Sequence, residues 1–236
     1  MELLLFVDYD NLPRSAQQGA LSSVVSSIVG ALDADWIVGY RRIRIRLYGG
    51  WYKGKEVSRK SQDLLTEIGD FPRMVGLRRG KSSVIVNVEI AFSSLVAPTK
   101  HFYYTYRERG AGFSLVVAPP TSHNCQNTNC PVTIVKNVLS SGRCTDCGLP
   151  QSKFLFRPEQ KLIDTMMSTD MIFVANSGAK KIAFLSNDDD FYPPLVLILH
   201  WEVSVLHFRP STSASSGSGL YESAGNGYKL ISLSFN

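Results

Sequence analysis

The chain has no apolar run approaching the ~20 residues that a membrane helix needs, so no membrane span is expected. No basic leader precedes its opening stretch: MELLLFVD runs straight into Asp8. That is not the build of a secretory signal. The expected compartment is cytoplasmic, where disulfides are scarce. Cysteine is sparse, at four residues, and those four need a reason other than a disulfide framework. No internal repeat is convincing, which leaves one large domain or one domain with an insert.

What is present suits a globular fold. Over the 236 residues, an apolar content of 44% is enough to build a core. The formal charge of +5 and the pI of about 9.0 suggest a polyanionic partner without specifying it.

Two stretches stand out because an apolar run stops abruptly at carboxylates. Residues 3–7 form a continuous apolar run suited to a central strand buried on both faces, and they lead into Asp8, Asp10 and Asn11. Residues 182–185 lead into Ser186, Asn187 and three consecutive aspartates, Asp188, Asp189 and Asp190, then Phe191, Tyr192 and two prolines. An open α/β sheet presents its site where buried strands end. Adjacent carboxylates repel unless a cation sits among them, and hard divalent cations take oxygen ligands. Helix capping competes as an explanation, since Ser, Asn and Asp cap helices and Pro fits the first turn. Capping accounts for one aspartate rather than three.

Periodicity fills in the rest. Helical spacing of apolar residues covers 20–32, 56–68 and 158–175, and 195–200 also reads as helix. Residues 41–48 alternate as a strand, with Arg42, Arg44 and Arg46 on one face and Ile43, Ile45 and Leu47 on the other. Residues 203–208 and 228–235 read as later strands. Residues 84–118 alternate as a small antiparallel β unit, with strands at 102–106 and 113–117. Residues 210–227, rich in Ser and Gly, read as a flexible surface loop. The expected fold is α/β with a mostly parallel sheet. A core made of residues 1–76 and 157–236 would be interrupted by an insert at 77–156.

The cysteines fall inside that insert, as Cys125-x4-Cys130, thirteen residues, then Cys144-x2-Cys147. Two close pairs on turns joined by a hairpin are what a tetrahedral Zn²⁺ needs from four thiolates, and residues 132–138 would supply the hairpin. A closed site of this kind is structural. His123 stands close enough to replace Cys125, and a redox CxxC pair with two unrelated thiols is the competing reading.

Three segments carry polar residues at strand ends or helix starts: Asp8 with Asn11, Lys161 with Asp164 and Asp170, and Asp188 with Asp190. They converge if all three lie at the carboxyl edge of one parallel sheet. Clustered carboxylates holding Mg²⁺ or Mn²⁺ point to phosphodiester hydrolysis, in which the metal activates water and stabilises charge on the reacting oxygens. No His or Cys nucleophile stands out in these segments.

The motif FVDYDNL resembles the opening D-x-x-N of the NYN family, a branch of the PIN-like ribonucleases. EQKLID, followed by Asp170, is similar to that family's K-x-x-D helix, and FLSNDDDFYP to its S-x-D-x-D-F-x-P element. The three motifs stand in family order and cover roughly residues 1–60 and 157–209. The resemblance implies a three-layer α/β/α sandwich whose members cleave RNA with divalent metal. It implies metal ligands at Asp8, Asp164, Asp188 and Asp190, with Asn11 positioning substrate or a ligand water. Asp170 would be a peripheral helper, and Asp10 and Asp189 fall between motif positions. Two departures stand out: the long segment 77–156, and Asn226-Gly227 near the position of a usual acidic residue before the final strand.

For substrate binding the candidates are Arg42, Arg44, Arg46, Lys53, Arg78, Arg79, Lys81 and Lys161, whose charges would neutralise phosphates. A solvated strand face explains the arginine stripe equally well. Trp51 would suit stacking on unpaired bases if exposed, and a core aromatic is the stronger reading of it. The expected function is therefore a metal-dependent endoribonuclease acting on single-stranded or structured RNA, with a homo-oligomer or a regulatory partner protein allowed. A non-catalytic RNA-binding or adaptor module of the same fold, or a DNA-directed nuclease, is the alternative.

Overall fold

The computed structural model describes residues 1–76, 83–110, 130–211, 220–221 and 224–235. Arg78, Arg79, Lys81, His123 and Cys125, the expected strand at 113–117 and much of the stretch 210–227 lie outside the described residues. The chain divides into two compact units, Met1–Thr105 with Gln160–Asn236, and Tyr106–Glu159.

In chain order the first unit opens with β1 (Glu2–Asp8), α1 (Arg14–Gln18), α2 (Leu21–Ala31), the single turn α3 (Ala34–Ile37) and β2 (Arg42–Tyr48). A tiny antiparallel hairpin, β3 (Tyr52–Lys53) with β4 (Glu56–Val57), leads to α4 (Arg59–Asp70), β5 (Met74–Gly76) and β6 (Ser83–Ile90). The second unit holds β7 (Tyr106–Gly110), α5 (Pro131–Ser141) and most of β8 (Phe156–Gln160). The first unit resumes with α6 (Ile163–Asn176), β9 (Lys181–Leu185), α7 (Tyr192–His200), β10 (Ser204–Pro210) and β11 (Tyr228–Leu233).

The central sheet has seven strands in the order β11-β10-β9-β1-β2-β6-β5. All its pairings are parallel except β5 with β6 at the edge. From β1 the chain steps outward to β2 and β6, then returns to the other side of β1 and steps outward through β9, β10 and β11. The strand order therefore reverses at the seam between β1 and β9. In doubly wound sheets the crevice at that seam, beyond the carboxyl ends of the strands, is where ligands bind.

Alternation along β1 feeds two cores. Leu3, Leu5 and Val7 pack in the cluster that holds Leu21, Val24, Val25, Ile28 and Val29 of α2 and Leu64 of α4. Phe6 packs in the cluster of Ile163, Met166, Met167 and Met171 of α6 with Leu195 and Ile198 of α7. The α2 positions recur at helical spacing and form one buried stripe. Burying each such side chain contributes about 2 kcal/mol. Helices thus cover both faces, which is why β1 and β9 are apolar from Leu3 to Val7 and from Ile182 to Leu185.

Several expectations are corrected. Residues 83–90 pair in parallel with β2, so β6 belongs to the central sheet and the second compact unit begins at Tyr106, not at 77. The expected helix 56–68 starts at Arg59, because Ser58 caps it by accepting from Ser61 N and Glu56–Val57 pairs as β4. The expected helix 158–175 starts at Ile163, since the residue before Pro158 is pushed to extended backbone and Phe156–Gln160 forms a strand. Residues 102–105 form no strand. The expected hairpin at 132–138 is the helix α5, which has Pro131 in its first turn and Gly142 at φ 70° closing its end. Among the described residues no helix is long and apolar enough to cross a membrane.

Candidate active site

Asp8 is the last residue of β1 and is almost fully buried, at 2% exposure. Two donors converge on its Oδ2: Ser186 Oγ at 2.8 Å and Asn11 Nδ2 at 2.6 Å. Ser186 directly follows β9, so the Ser186–Asp8 bond crosses the seam where the strand order reverses. Burial pushes the Asp8 carboxyl up to about 6, against the two hydrogen bonds, and the charges of Asp164 and Asp10 push it the same way.

Beyond Ser186 the chain turns tightly. Asp188 N donates to Ser186 Oγ at 3.0 Å, and Asp188 Oδ1 accepts from Asp190 N at 2.9 Å. Asp188 therefore caps the short 3-10 turn Asp189–Phe191 that leads into α7. Asn187 Oδ1 is buried there with no hydrogen-bond partner. Asp189 is exposed and pairs with Arg209 at 3.5 Å.

Asp164 enters from a third direction, in the first turn of α6, where the helix N-terminus favours a carboxylate. Its pKa is raised by loss of solvent and then by the charges of Asp188, Asp190 and Asp10. The three segments singled out in the sequence are thus brought within one another's field. Asp8, Asp164, Asp188 and Asp190, with the amides of Asn11 and Asn187, are oxygen-bearing side chains of the kind hard cations take as ligands. Among the described residues, however, no three acidic, His or Cys side chains stand close enough together to hold an ion.

Asp10 is a clasp between loops. Its Oδ2 accepts from Gly50 N at 2.6 Å, and its Oδ1 pairs with Lys60 Nζ. Lys60 also lies over the Tyr9 ring, 4.8 Å from its centre. Gly49 permits this approach: a Cβ there would meet Asp10 Oδ2 at 2.8 Å and the Trp51 ring at 2.9 Å. Trp51 itself is fully buried.

Two supports stand behind these carboxylates, of which the sequence reading missed the first and named the second only as a peripheral helper. The first is His207 on β10, fully buried and stacked 4.1 Å from the Phe184 ring. Its Nε2 bonds Ser186 O at 2.9 Å and its Nδ1 bonds Tyr228 OH at 2.7 Å. A carbonyl only accepts, so Nε2 carries the proton and Nδ1 accepts from the phenol. Burial holds the imidazole down to about 4, which keeps it neutral. Tyr221 OH donates to Asp188 O at 3.2 Å and braces the same loop. The only sequence signal was a lone polar residue inside an apolar strand.

The second support is Asp170 on α6. It is fully buried and accepts from Tyr48 OH at 2.7 Å, Leu95 N at 2.8 Å and Ser94 Oγ. Arg46 completes the network: it bonds Tyr48 OH at 3.1 Å, Glu89 at 2.5 Å and Ser93 O, and lies 3.5 Å from Asp170. A buried carboxylate persists only with such partners. Asp170 orients α6 from within the protein.

The expected arginine stripe therefore splits. Arg46 is committed to the interior, Arg44 pairs with Glu2 at 2.8 Å, and Arg42 is exposed. Arg42 begins β2, about 20 Å from the carboxyl edge at ~3.3 Å per residue. Lys53 and Lys161 are exposed beyond the carboxyl end of β2 and just before α6.

In the second unit Cys144 and Cys147 share a turn closed by Cys144 N to Leu149 O at 2.8 Å and Gly148 N to Cys144 O at 3.0 Å. Backbone N–H groups of Cys147 and Asp146, then the Cys147 thiol, hold the Cys144 thiol below its ordinary pKa. Cys130 directly precedes α5, whose 11 residues span about 16 Å, and Cys144 lies beyond the other end. Among the described residues, Cys130 and the Cys144–Cys147 pair are not gathered round one point.

Compared with family models, with curated proteins and with solved structures, the chain finds no match in any of the three.

Proposed function

We propose that the chain is a divalent-metal-dependent nuclease, acting on RNA as an NYN-type, PIN-like endoribonuclease. The observation that carries the reading is the Ser186–Asp8 bond at the β1/β9 seam, with Asp164, Asp188 and Asp190 in its field. A nucleotide-phosphate site at the same seam would need a glycine-rich turn and a helix N-terminus. Here the turn after β1 carries Asp8 and Asp10, which repel phosphate unless a cation intervenes.

Asp8, Asp164, Asp188 and Asp190 would hold Mg²⁺ or Mn²⁺, which supplies an activated water and a positive charge for the scissile phosphate. Asn11 and Ser186 fix one oxygen of Asp8 and leave the carboxylate plane oriented by the sheet. His207 and Tyr221 hold the loop that carries Asp188 and Asp190. Lys53 and Lys161 supply phosphate contacts at this edge.

Incubation with single-stranded RNA and Mn²⁺, alongside chelator controls, tests the reading. Cleavage that disappears in Asp190→Asn supports it; no cleavage, or equal cleavage by the variant, rejects it. Matched RNA and DNA strands identify the sugar. A non-catalytic RNA-binding module is the second reading, favoured by the carboxylates not being gathered within ligand distance. Binding without turnover at any Mn²⁺ concentration would select it.

For Tyr106–Glu159 the proposal is an insert stapled by zinc at Cys144 and Cys147, with ligands beyond the gathered pair. Metal analysis finding less than about one zinc per chain removes it.

A further inference from the structure

We propose that His101, Tyr103 and Tyr104, with Lys53, Lys55 and Lys100, form a stacking platform for an unpaired nucleic-acid strand and lead it toward Asp164. This deepens the nuclease reading and rests on it only for the fate of the strand.

The segment leaves the sheet at its carboxyl edge, where Ala91 N bonds Leu47 O at 2.9 Å just after β6. It then doubles back. His101 bridges Ser93, Phe102 N bonds Phe92 O at 3.0 Å, and Tyr104 N bonds Gly54 O at 2.8 Å. Tyr52 N donates to Thr105 Oγ1 at 3.0 Å. The segment is thus held by Phe92, Gly54 and Tyr52, yet Tyr103 and Tyr104 stay 43% and 48% exposed.

The rings are supported from beneath. Tyr52 is buried and meets Tyr103 edge-on at 4.9 Å, and its hydroxyl bonds His101 Nδ1 at 2.5 Å. Phe92 and His101 lie almost parallel, 5° apart at 6.0 Å. Tyr104 adopts φ 60°, a conformation bulky residues rarely take. Strained backbone under an exposed ring, held by a hydrogen bond to Gly54, marks a side chain kept outward for use.

Charge decides the ligand class. Lys53 and Lys55 flank Gly54, whose carbonyl accepts from Tyr104 N, and Lys100 directly precedes His101; all three are exposed, and Glu56 is the cross-strand partner of Lys53. Exposed aromatics among lysines suit bases and phosphates together. A protein interface core would instead be depleted in lysine. A duplex offers phosphates but hides the faces of its bases, so the fit is to a single strand.

Position ties the platform to the carboxylates. Thr105 O accepts from Lys161 N at 3.0 Å, and Lys161 stands three residues before Asp164. That separation is at most about 10 Å of chain.

The test measures binding apart from cleavage. Asp8→Asn protein in chelator is titrated into a labelled single-stranded RNA dodecamer and followed by anisotropy. Adding Tyr103→Ala with Tyr104→Ala is expected to weaken binding by about tenfold or more while leaving the salt dependence intact. Adding Lys53→Ala with Lys100→Ala is expected to flatten the salt dependence, by a slope of about 1.4 for two lost phosphate contacts. Tyr104→Gly suits the positive φ and removes the ring without strain, so it guards against misfolding. Unchanged affinity in the tyrosine variants, or the same tyrosine dependence with duplex RNA, overturns the platform. Because no turnover is read, loss of the nuclease reading would leave this result standing.

Discussion

Ser186 Oγ donates to Asp8 Oδ2 across 2.8 Å, joining the ends of two parallel strands whose residues lie 178 positions apart. The bond sets the electrostatics of the site, because it stabilises the charged form of a carboxylate that burial disfavours. Ser186→Ala is expected to cost about 2 kcal/mol at neutral pH, the range for a hydrogen bond to a charged group. It should also move the Asp8 pKa further up from about 6, since the hydroxyl holds it down. Denaturant melts and carboxyl NMR titration read both; an unmoved Asp8 titration would refute the account.

Asp8 and His207 should bias stability in opposite directions over the same pH window. Asp8 is raised from 3.8 to about 6, so the fold binds its proton more tightly than the unfolded chain does. Its contribution is present below about 4 and lost as pH rises through about 6. His207 is lowered from 6.5 to about 4, so its contribution is present above about 6.5 and lost as pH falls toward about 4. Each amounts to about 3 kcal/mol by linkage. Asp8→Asn should therefore make the protein lose stability more steeply on acidification than the parent. His207→Gln should do the reverse, with stability falling from pH 4 to 6. Chevron or urea midpoints in chelator at four pH values decide it.

The buried network round Asp170 predicts a large and non-additive effect. Asp170→Asn leaves Arg46, at 7% exposure, short of one counter-charge and should cost about 3 kcal/mol. Tyr48→Phe should cost about 1 kcal/mol. Because both act on one hydrogen bond, the double variant should cost less than their sum. Strict additivity in a double-mutant cycle would show that the two do not communicate.

Gly49→Ala is expected to destabilise by about 1–3 kcal/mol, since its Cβ would stand 2.8 Å from Asp10 Oδ2 and 2.9 Å from Trp51. Calorimetry of this variant, whose added methyl touches none of the proposed metal ligands, checks how rigid the two loops are.

Metal should report on the carboxylates without any substrate. Saturating Mn²⁺ at about 100 times its Kd adds about 2.7 kcal/mol to a site that binds only the folded chain. The melting temperature of the parent should rise by about 5 °C or more, and Asp188→Asn or Asp190→Asn should lose that rise. An equal rise in the variants would move the ion elsewhere.

Most of the parallel sheet was legible because its strands are continuous apolar runs ending in polar residues, as at Leu3–Val7 and Ile182–Leu185. The positions of Asp8, Asp188 and Asp190, at or just beyond strand ends, were legible for the same reason. What could not be read was partnership. Arg46 alternates like any exposed residue, and only the arrival of Glu89, Ser93 and Asp170 makes it interior. β6 read as part of a separate β unit because alternation does not say which sheet a strand joins. The helix α5 read as a hairpin because Val132, Ile134 and Val135 favour strands, while Pro131 and Gly142 set its ends. His207 was invisible because a single histidine in a strand carries no spacing.

The bond between Lys161 N and Thr105 O, at 3.0 Å, has a consequence for modularity. The chain departs from the sheet-bearing unit and re-enters it at neighbouring points, so Tyr106–Glu159 is an excursion whose length the sheet does not register. Replacing it with a bridge of a few residues would lower the loop-closure cost by about 2 kcal/mol. The same joint offers a graft point: a foreign domain with adjacent termini could be seated there without rethreading any strand of the seven-stranded sheet.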